Sequence, residues 1–245
     1  MLTDQEYLEL ILLVNQYRNQ VHLEGIEVIS EAALDDLKHK ITQYEAANPT
    51  KISLNSPNYT IAGGISKGFN KYQHKHRMLS LNDIFDYQEL LDWNERNSNY
   101  SSKNTESKKI INPNTTEFIC EPKIDGLAIS LIYQDGLLTR GVTRGDGYEG
   151  EDVTANIIHI QSIPNSIPSK ESIEIRGEIF MTQENFQKLN QGILEGKLIG
   201  KIGKTGSEGL FANSRNVASG TIRQLDTKIV GERNLSFIAY NVGRY

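Results

Sequence analysis

Glu121-Pro122-Lys123-Ile124-Asp125-Gly126 places a lysine two positions after one carboxylate and two before another. In an extended strand, side chains at i, i+2 and i+4 share one face. The spacing therefore predicts Glu121, Lys123 and Asp125 on one side, with Cys120, Pro122 and Ile124 turned away. Gly126 lets the backbone bend or a ligand approach closely. A lysine held this way is a candidate covalent nucleophile. Taken alone, the pattern is more often that of a strand-edge Lys–Asp salt bridge, so its neighbours must decide.

The chain is 245 residues long, enough for one large domain or two smaller ones. Hydrophobic residues make up 38% and charged residues 23%, the balance of a soluble globular protein. No apolar run approaches the roughly 18 residues of a membrane span, and no membrane partner is expected. The start, Met1-Leu2-Thr3-Asp4-Gln5-Glu6, lacks a basic, apolar signal pattern. Cys120 is the single cysteine, which excludes an intrachain disulfide and a cysteine-based zinc site. A cytoplasmic location is expected, and no metal-ligating set is read from the sequence. The net charge of −5 argues against nucleic-acid binding over the whole surface. A local basic groove remains compatible with it, because only the cations that touch phosphate release counterions.

The first 50 residues read as helical. Thr3 with Glu6 fits a capping box, followed by Tyr7, Leu8, Leu10, Ile11 and Val14. Ser30 is a second N-cap candidate, ahead of Leu34, Leu37, Ile41 and Tyr44 on one face, and Asn48-Pro49 stops that helix. Residues 51–75 are turn-rich. Asp83 to about Glu95 reads as another helix, and the polar residues 97–116 as a mobile loop. Glu117–Lys123, Leu127–Tyr133, Leu137–Thr143, Ile173–Phe180 and Leu235–Val242 read as strands, with Asp135-Gly136 as a hairpin turn. Gly203-Lys204-Thr205 echoes a phosphate-binding P-loop, but the first glycine of that pattern would fall at Leu198. Residues 195–209 are instead expected to form an exposed loop.

Further strings follow the lysine in order. They are Thr143-Arg144-Gly145-Asp146-Gly147-Tyr148-Glu149-Gly150-Glu151-Asp152, Glu174-Ile175-Arg176-Gly177-Glu178-Ile179-Phe180, Phe211-Ala212-Asn213-Ser214-Arg215-Asn216, Gly220-Thr221-Ile222-Arg223-Gln224-Leu225-Asp226 and Phe237-Ile238-Ala239-Tyr240. Met78-Leu79-Ser80-Leu81 lies upstream. In this order and spacing they resemble the adenylation region of bacterial NAD+-dependent DNA ligases, strongly over about residues 60–245 and more weakly before.

The resemblance implies an α+β fold. A small helical domain at 1–60 binds the nicotinamide mononucleotide half of NAD+. A nucleotidyltransferase core at 61–245, with antiparallel sheets and flanking helices, stops short of its C-terminal end. It implies Lys123 as the nucleophile that takes AMP from NAD+, with Mg2+, and Asp125 as its orienting or metal-holding partner. Glu121 matches a contact to adenine, and Ser80 and Leu81 an adenosine-binding backbone segment. Glu178 matches a carboxylate near the ribose, and Tyr240 an aromatic stacking on adenine. Arg144, Arg215 and Arg223 match basic residues serving phosphate or nicked duplex DNA, with Arg215 and Arg223 assigned to DNA. Attack on phosphorus needs the free amine, and lowering a lysine pKa by about three units corresponds to roughly 4 kcal/mol.

Two departures matter. On the nicotinamide side His22 and Asp35 remain and Glu31 is a conservative replacement. Val21 and Leu34 stand where the family has tyrosines. The family also continues past the position of Tyr245 with further lysine motifs and domains. The resemblance therefore implies C-terminal ligase domains in a full-length protein, and complete nick sealing by this chain alone is not expected. Two other readings stay open: a non-catalytic relative that binds adenine nucleotide or nicked DNA, and a nucleotidyltransferase using RNA or ATP.

Overall fold

The structure is a computed structural model that describes residues 2–20, 28–60, 68–103, 117–200 and 206–244. They form two compact units: residues up to 79 together with 124–244, and residues 80–123.

The larger unit begins with helices α1, Asp4–Asn19, and α2, Glu31–Ala47. Thr3 and Glu6 close the expected capping box: Glu6 N–H donates to Thr3 Oγ1 at 3.3 Å, and Thr3 N–H to Glu6 Oε2 at 2.7 Å. Ser30 caps α2 through Ala33 N–H. The two helices share their own core of Tyr7, Ile11, Val14, Ile41 and Tyr44, with Leu34 and Leu37 packed against it. The rings of Tyr7 and Tyr44 stack at 4.1 Å. Leu8 of α1 is exposed. Buried Glu45 accepts from the Tyr7 hydroxyl and from Asn58 Nδ2, both at 2.8 Å, which fastens the segment after α2 to the hairpin.

The chemistry-bearing part of this unit is a four-stranded antiparallel sheet. Its strands are β2, Leu127–Gln134, β3, Leu137–Thr143, β5, Ile173–Phe180, and β6, Ser236–Arg244, in the order β3-β2-β5-β6. Asp135 and Gly136, both at positive φ (52° and 80°), make the β2–β3 turn. A second small sheet pairs β1, Lys71–Gln73, with β4, Glu149–Glu151. Ile129, Leu131 and Tyr133 of β2 and Ile179 of β5 join a buried core with α4, Thr154–Ile157, α5, Gln183–Leu194, α6, Ser214–Ile222, and α7, Lys228–Glu232. Helices cover that face of the sheet. Ser130, Glu174, Arg176 and Glu178 lie on the opposite parity, and Ser130 pairs with Arg176 and Ala128 with Glu178 across β2 and β5.

The smaller unit holds α3, Tyr87–Lys103. The helix begins at Tyr87, later than the expected Asp83, and Asp86 caps it, accepting Glu89 N–H at 2.8 Å, while Glu89 Oε2 accepts Phe85 N–H at 2.7 Å. The helix then runs through 97–103, part of the stretch expected as a loop. Once nucleated, a helix propagates through weak formers at small cost per residue. Residues 104–116 lie outside the described residues, as do 201–205 of the P-loop echo.

Candidate active site

Residues 117–125 form no strand, which corrects the expectation for Glu117–Lys123. The sheet begins at Leu127, and no partner pairs with the segment before it among the described residues. Glu121, Lys123 and Asp125 are all exposed on irregular chain and do not line the face of a sheet. Gly126 is buried, and a Cβ there would run into the Ile179 carbonyl. The glycine is thus required by its close approach to β5, and the motif is anchored where the sheet begins. Ser80, Leu81, Glu121 and Lys123 belong to the smaller unit, and Leu81 is 77% exposed.

The other candidates belong to the larger unit. Arg144 follows β3, its N–H donating to the Ala128 carbonyl at 3.2 Å. The next turn is knotted by Asp146, whose Oδ1 accepts Tyr148 N–H at 2.9 Å and Glu149 N–H at 2.8 Å. This turn brings the chain back as β4 and fixes where Arg144 leaves the sheet. Burial first, and the neighbouring charge of Arg215 second, hold the Arg144 guanidinium below its usual pKa, while Glu178 and Tyr240 act against them. Arg215, in the first turn of α6, donates to Asp125 Oδ1.

Tyr240 owes its position to an irregularity in the ladder. Arg176 pairs with Asn241 and Gly177 with Ala239, so Tyr240 is the extra residue of a bulge in β6. Bulges re-aim side chains beside active sites, and this one leaves Tyr240 53% exposed within electrostatic reach of Glu178, Arg144 and Arg176. Burial, then the Glu178 carboxylate, push its phenol above 10. The structure therefore brings Asp125, Arg144, Glu178, Arg215 and Tyr240 together: two carboxylates, two guanidiniums and a half-exposed ring. Such a set can take a flat base, a hydroxylated sugar and a phosphate.

Residues 66–245 match the family model for the NAD-dependent DNA ligase adenylation domain. The chain belongs to this family. Curated relatives agree over nearly its whole length, the helical start included. A DNA ligase of Helicobacter acinonychis (strain Sheeba) is 38% identical over 244 residues, covering 99% of this chain and 34% of that protein. One of Mesoplasma florum is 41% identical over 232 residues, covering 95% and 32%. One of Sulfurimonas denitrificans is 37% identical over 239 residues, covering 98% and 33%. The chain spans about a third of the length of the curated relatives it matches.

Two expected site residues of this adenylation domain, Arg223 and Asp35, make contacts outside this cluster. Arg223 Nε donates at 2.9 Å to Glu151, which is fully buried and also accepts from Thr143 Oγ1 at 3.2 Å. The Arg223 side chain is 15% exposed and is held by this internal ion pair. Asp35 pairs with Lys38 one turn along α2, at 3.3 Å. His22 lies outside the described residues.

The sequence assigned no role of their own to Arg176 and its buried partner Glu174. Arg176 Nη1 and Nη2 donate to the carbonyls of Arg77 and His76 at 3.0 and 2.7 Å, fixing the chain three residues before Ser80. His74 was missed too. It is buried, with Nε2 3.1 Å from the Thr143 carbonyl. A cation in a strand followed at once by Gly177, which forces close strand approach, was the available signal.

Among the described residues no three His, Cys, Asp or Glu side chains gather to hold a metal. Mg2+ needs no such cage, since it is commonly held by one or two carboxylates plus nucleotide phosphates.

Proposed function

We propose that this chain is the adenylation module of an NAD+-dependent DNA ligase acting in DNA replication and repair. The observation that carries it is the bulge that sets Tyr240 beside Glu178 and Arg144 within a family match across 66–245. Tyr240 stacks on adenine, Glu178 accepts from the ribose hydroxyls, and Arg144 steadies phosphate. Glu121 reads the adenine edge, and the backbone at Ser80 and Leu81 frames the adenosine. The helical region 1–60, with its separate core, takes the nicotinamide mononucleotide half through His22 and Asp35, and residues 61–245 form the transfer core.

Lys123 Nζ gives up a proton and attacks the α-phosphorus of NAD+. The P–N bond forms as the P–O bond to nicotinamide mononucleotide breaks, and the leaving group keeps the electron pair. Asp125, steadied by Arg215, orients the amine. In the second step a 5′-phosphate at a nick attacks the same phosphorus, the new P–O bond forms as the P–N bond breaks, and the lysine nitrogen keeps the electron pair and regains its proton. The 3′-hydroxyl then displaces AMP. Arg215 follows phosphate in the nicked duplex. Asp125 is the protein carboxylate that would help the donor phosphates hold Mg2+, which would supply charge neutralisation. A cytoplasmic setting and C-terminal ligase domains in the full-length protein complete this reading.

Intact-mass spectrometry with NAD+ and Mg2+ tests it. Wild type gains one AMP and Lys123→Ala gains none. Absence of the adduct on wild type, or its persistence on Lys123→Ala, overturns the assignment. A gain with ATP but not NAD+ overturns the choice of donor.

A further inference from the structure

Arg176 and Glu174 form an ion pair in β5, with Nε donating to Oε1 at 2.7 Å; the Glu174 side chain is 3% exposed and that of Arg176 14%. What the pair holds is not core. Nη1 and Nη2 reach the carbonyls of Arg77 and His76, and residues 75–77 are all exposed. The buried side chains of His74 and Met78 already anchor this segment at both ends. A buried charge pair is weak support for stability, since apolar side chains of similar volume often do as well or better. Its presence is better explained where it confines an exposed segment to one conformation.

The 74–78 segment is also bonded to the turn that follows β3. His74 N–H donates to the Tyr148 carbonyl at 2.8 Å and Met78 N–H to the Gly147 carbonyl at 2.9 Å. Gly147 N–H donates to the Arg144 carbonyl at 2.9 Å, and His74 Nε2 lies 3.1 Å from the Thr143 carbonyl. Arg144 N–H donates to the Ala128 carbonyl, and Ala128 is the residue opposite Glu178 in the β2–β5 ladder. A continuous run of hydrogen bonds thus leads from Glu174, through Arg176, the 74–78 segment and the 144–148 turn, to the backbone of Arg144, with Ala128 between it and Glu178. Arg176 itself has no nitrogen to spare for a ligand: Nε, Nη1 and Nη2 are all engaged within the fold. It can act on the site only through what it holds.

We propose that Arg176, oriented by Glu174, is a positioning residue for the nucleotide site: it fixes the 74–78 segment so that the 144–148 turn presents Arg144 to a phosphate of the donor. This rests on the proposed function. It adds the part of the fold that sets the placement of Arg144, and it gives Arg176 no contact with substrate. A charge-assisted hydrogen bond is directional, so a guanidinium displaced by about an ångström loses much of it.

Arg176→Lys tests this, because it leaves Glu174 a counter-charge but cannot hold the carboxylate and two carbonyls with one rigid fork. In the 245-residue chain the half-saturating NAD+ concentration for AMP-adduct formation should rise on the order of tenfold, a larger change than in the plateau rate. Combined with Arg144→Met, it should raise that concentration no further than Arg144→Met does alone, since the clamp acts through Arg144. Adenosine, which has no phosphate, should bind as to wild type. Glu174→Gln with Arg176→Met, which strands no buried charge, is read in the same way if thermal unfolding shows that the lysine chain does not fold. Unchanged NAD+ dependence in a folded variant overturns the assignment. So does an additive loss on top of Arg144→Met, or a matching loss of adenosine binding, either of which marks a general loosening of the fold. A wild-type chain that never gains AMP overturns the functional reading and this assignment with it, whereas each of the other adverse results overturns this assignment alone.

Discussion

Arg176 grips Glu174 two positions before it in β5, with Nε donating to Oε1 at 2.7 Å and Nη2 to Oε2 at 3.2 Å. Ser130 Oγ adds a third donor to Glu174 at 2.7 Å, and Glu174 is 3% exposed. The remaining donors of the guanidinium hold the carbonyls of His76 and Arg77. One buried carboxylate thus orients the arginine that ties the 76–77 chain to the sheet.

Glu174→Ala should therefore destabilise the chain strongly. Removing one member of a buried pair leaves its partner uncompensated, typically costing about 3–5 kcal/mol. Urea unfolding should show a lower midpoint with an unchanged slope. Amide exchange should accelerate at 76–80 before the core strands. A midpoint within about 0.5 kcal/mol of wild type, the range of ordinary surface changes, would remove the pair from any structural account.

Arg223→Met separates an internal ion pair from a DNA contact. With Glu151 fully buried and left without this cation, the loss should again be about 3–5 kcal/mol. Nicked-duplex affinity at a temperature where the variant is folded should keep the wild-type salt slope. A phosphate contact would instead lower that slope by about one. Anisotropy titrations across a salt series read the difference.

Most of the fold was legible because its signals are local. The Thr3–Glu6 box, the Ser30 cap, the Asp135-Gly136 turn and the alternation of Ile173–Phe180 each depend on neighbours in sequence. Glu117–Lys123 failed because strand propensity describes one chain, whereas a ladder needs a second. The site was legible as residue types and order, since Arg144, Arg215, Glu178 and Tyr240 do converge with Asp125. Pairing was not legible. Nothing in the spacing shows that Arg223 turns inward to Glu151, 72 residues away. The bulge at Tyr240 is equally hidden, because it is a property of the register between β5 and β6.

His74 predicts an acid-side loss of stability. Burial depresses its pKa below 6.5, so the fold prefers the neutral ring. Above 6.5 both folded and unfolded chains carry it neutral and its contribution is complete. As pH falls through 6.5 toward the depressed folded value, the unfolded chain takes up the proton first and stability drops. Unfolding midpoints compared at about pH 7.5 and about pH 5.5 should fall less for His74→Gln than for wild type. Equal losses would assign the acid sensitivity to other groups.

Tyr240 offers the sharpest separation of ring from hydroxyl. Its ring is 53% exposed on the bulge of β6, so truncation leaves no buried cavity and the fold should tolerate it. Stacking of a base on an aromatic ring is worth about 1–3 kcal/mol by alanine substitution. Tyr240→Ala should therefore raise the NAD+ concentration needed for adduct formation on the order of tenfold or more. Tyr240→Phe keeps the stacking surface and loses only a phenol hydroxyl, which burial first and Glu178 second favour in its protonated form, so its NAD+ dependence should stay close to wild type. A phenylalanine variant as impaired as the alanine one would move the function of Tyr240 from its ring to its hydroxyl, and the bulge would then serve to present a hydrogen-bond donor to the donor nucleotide.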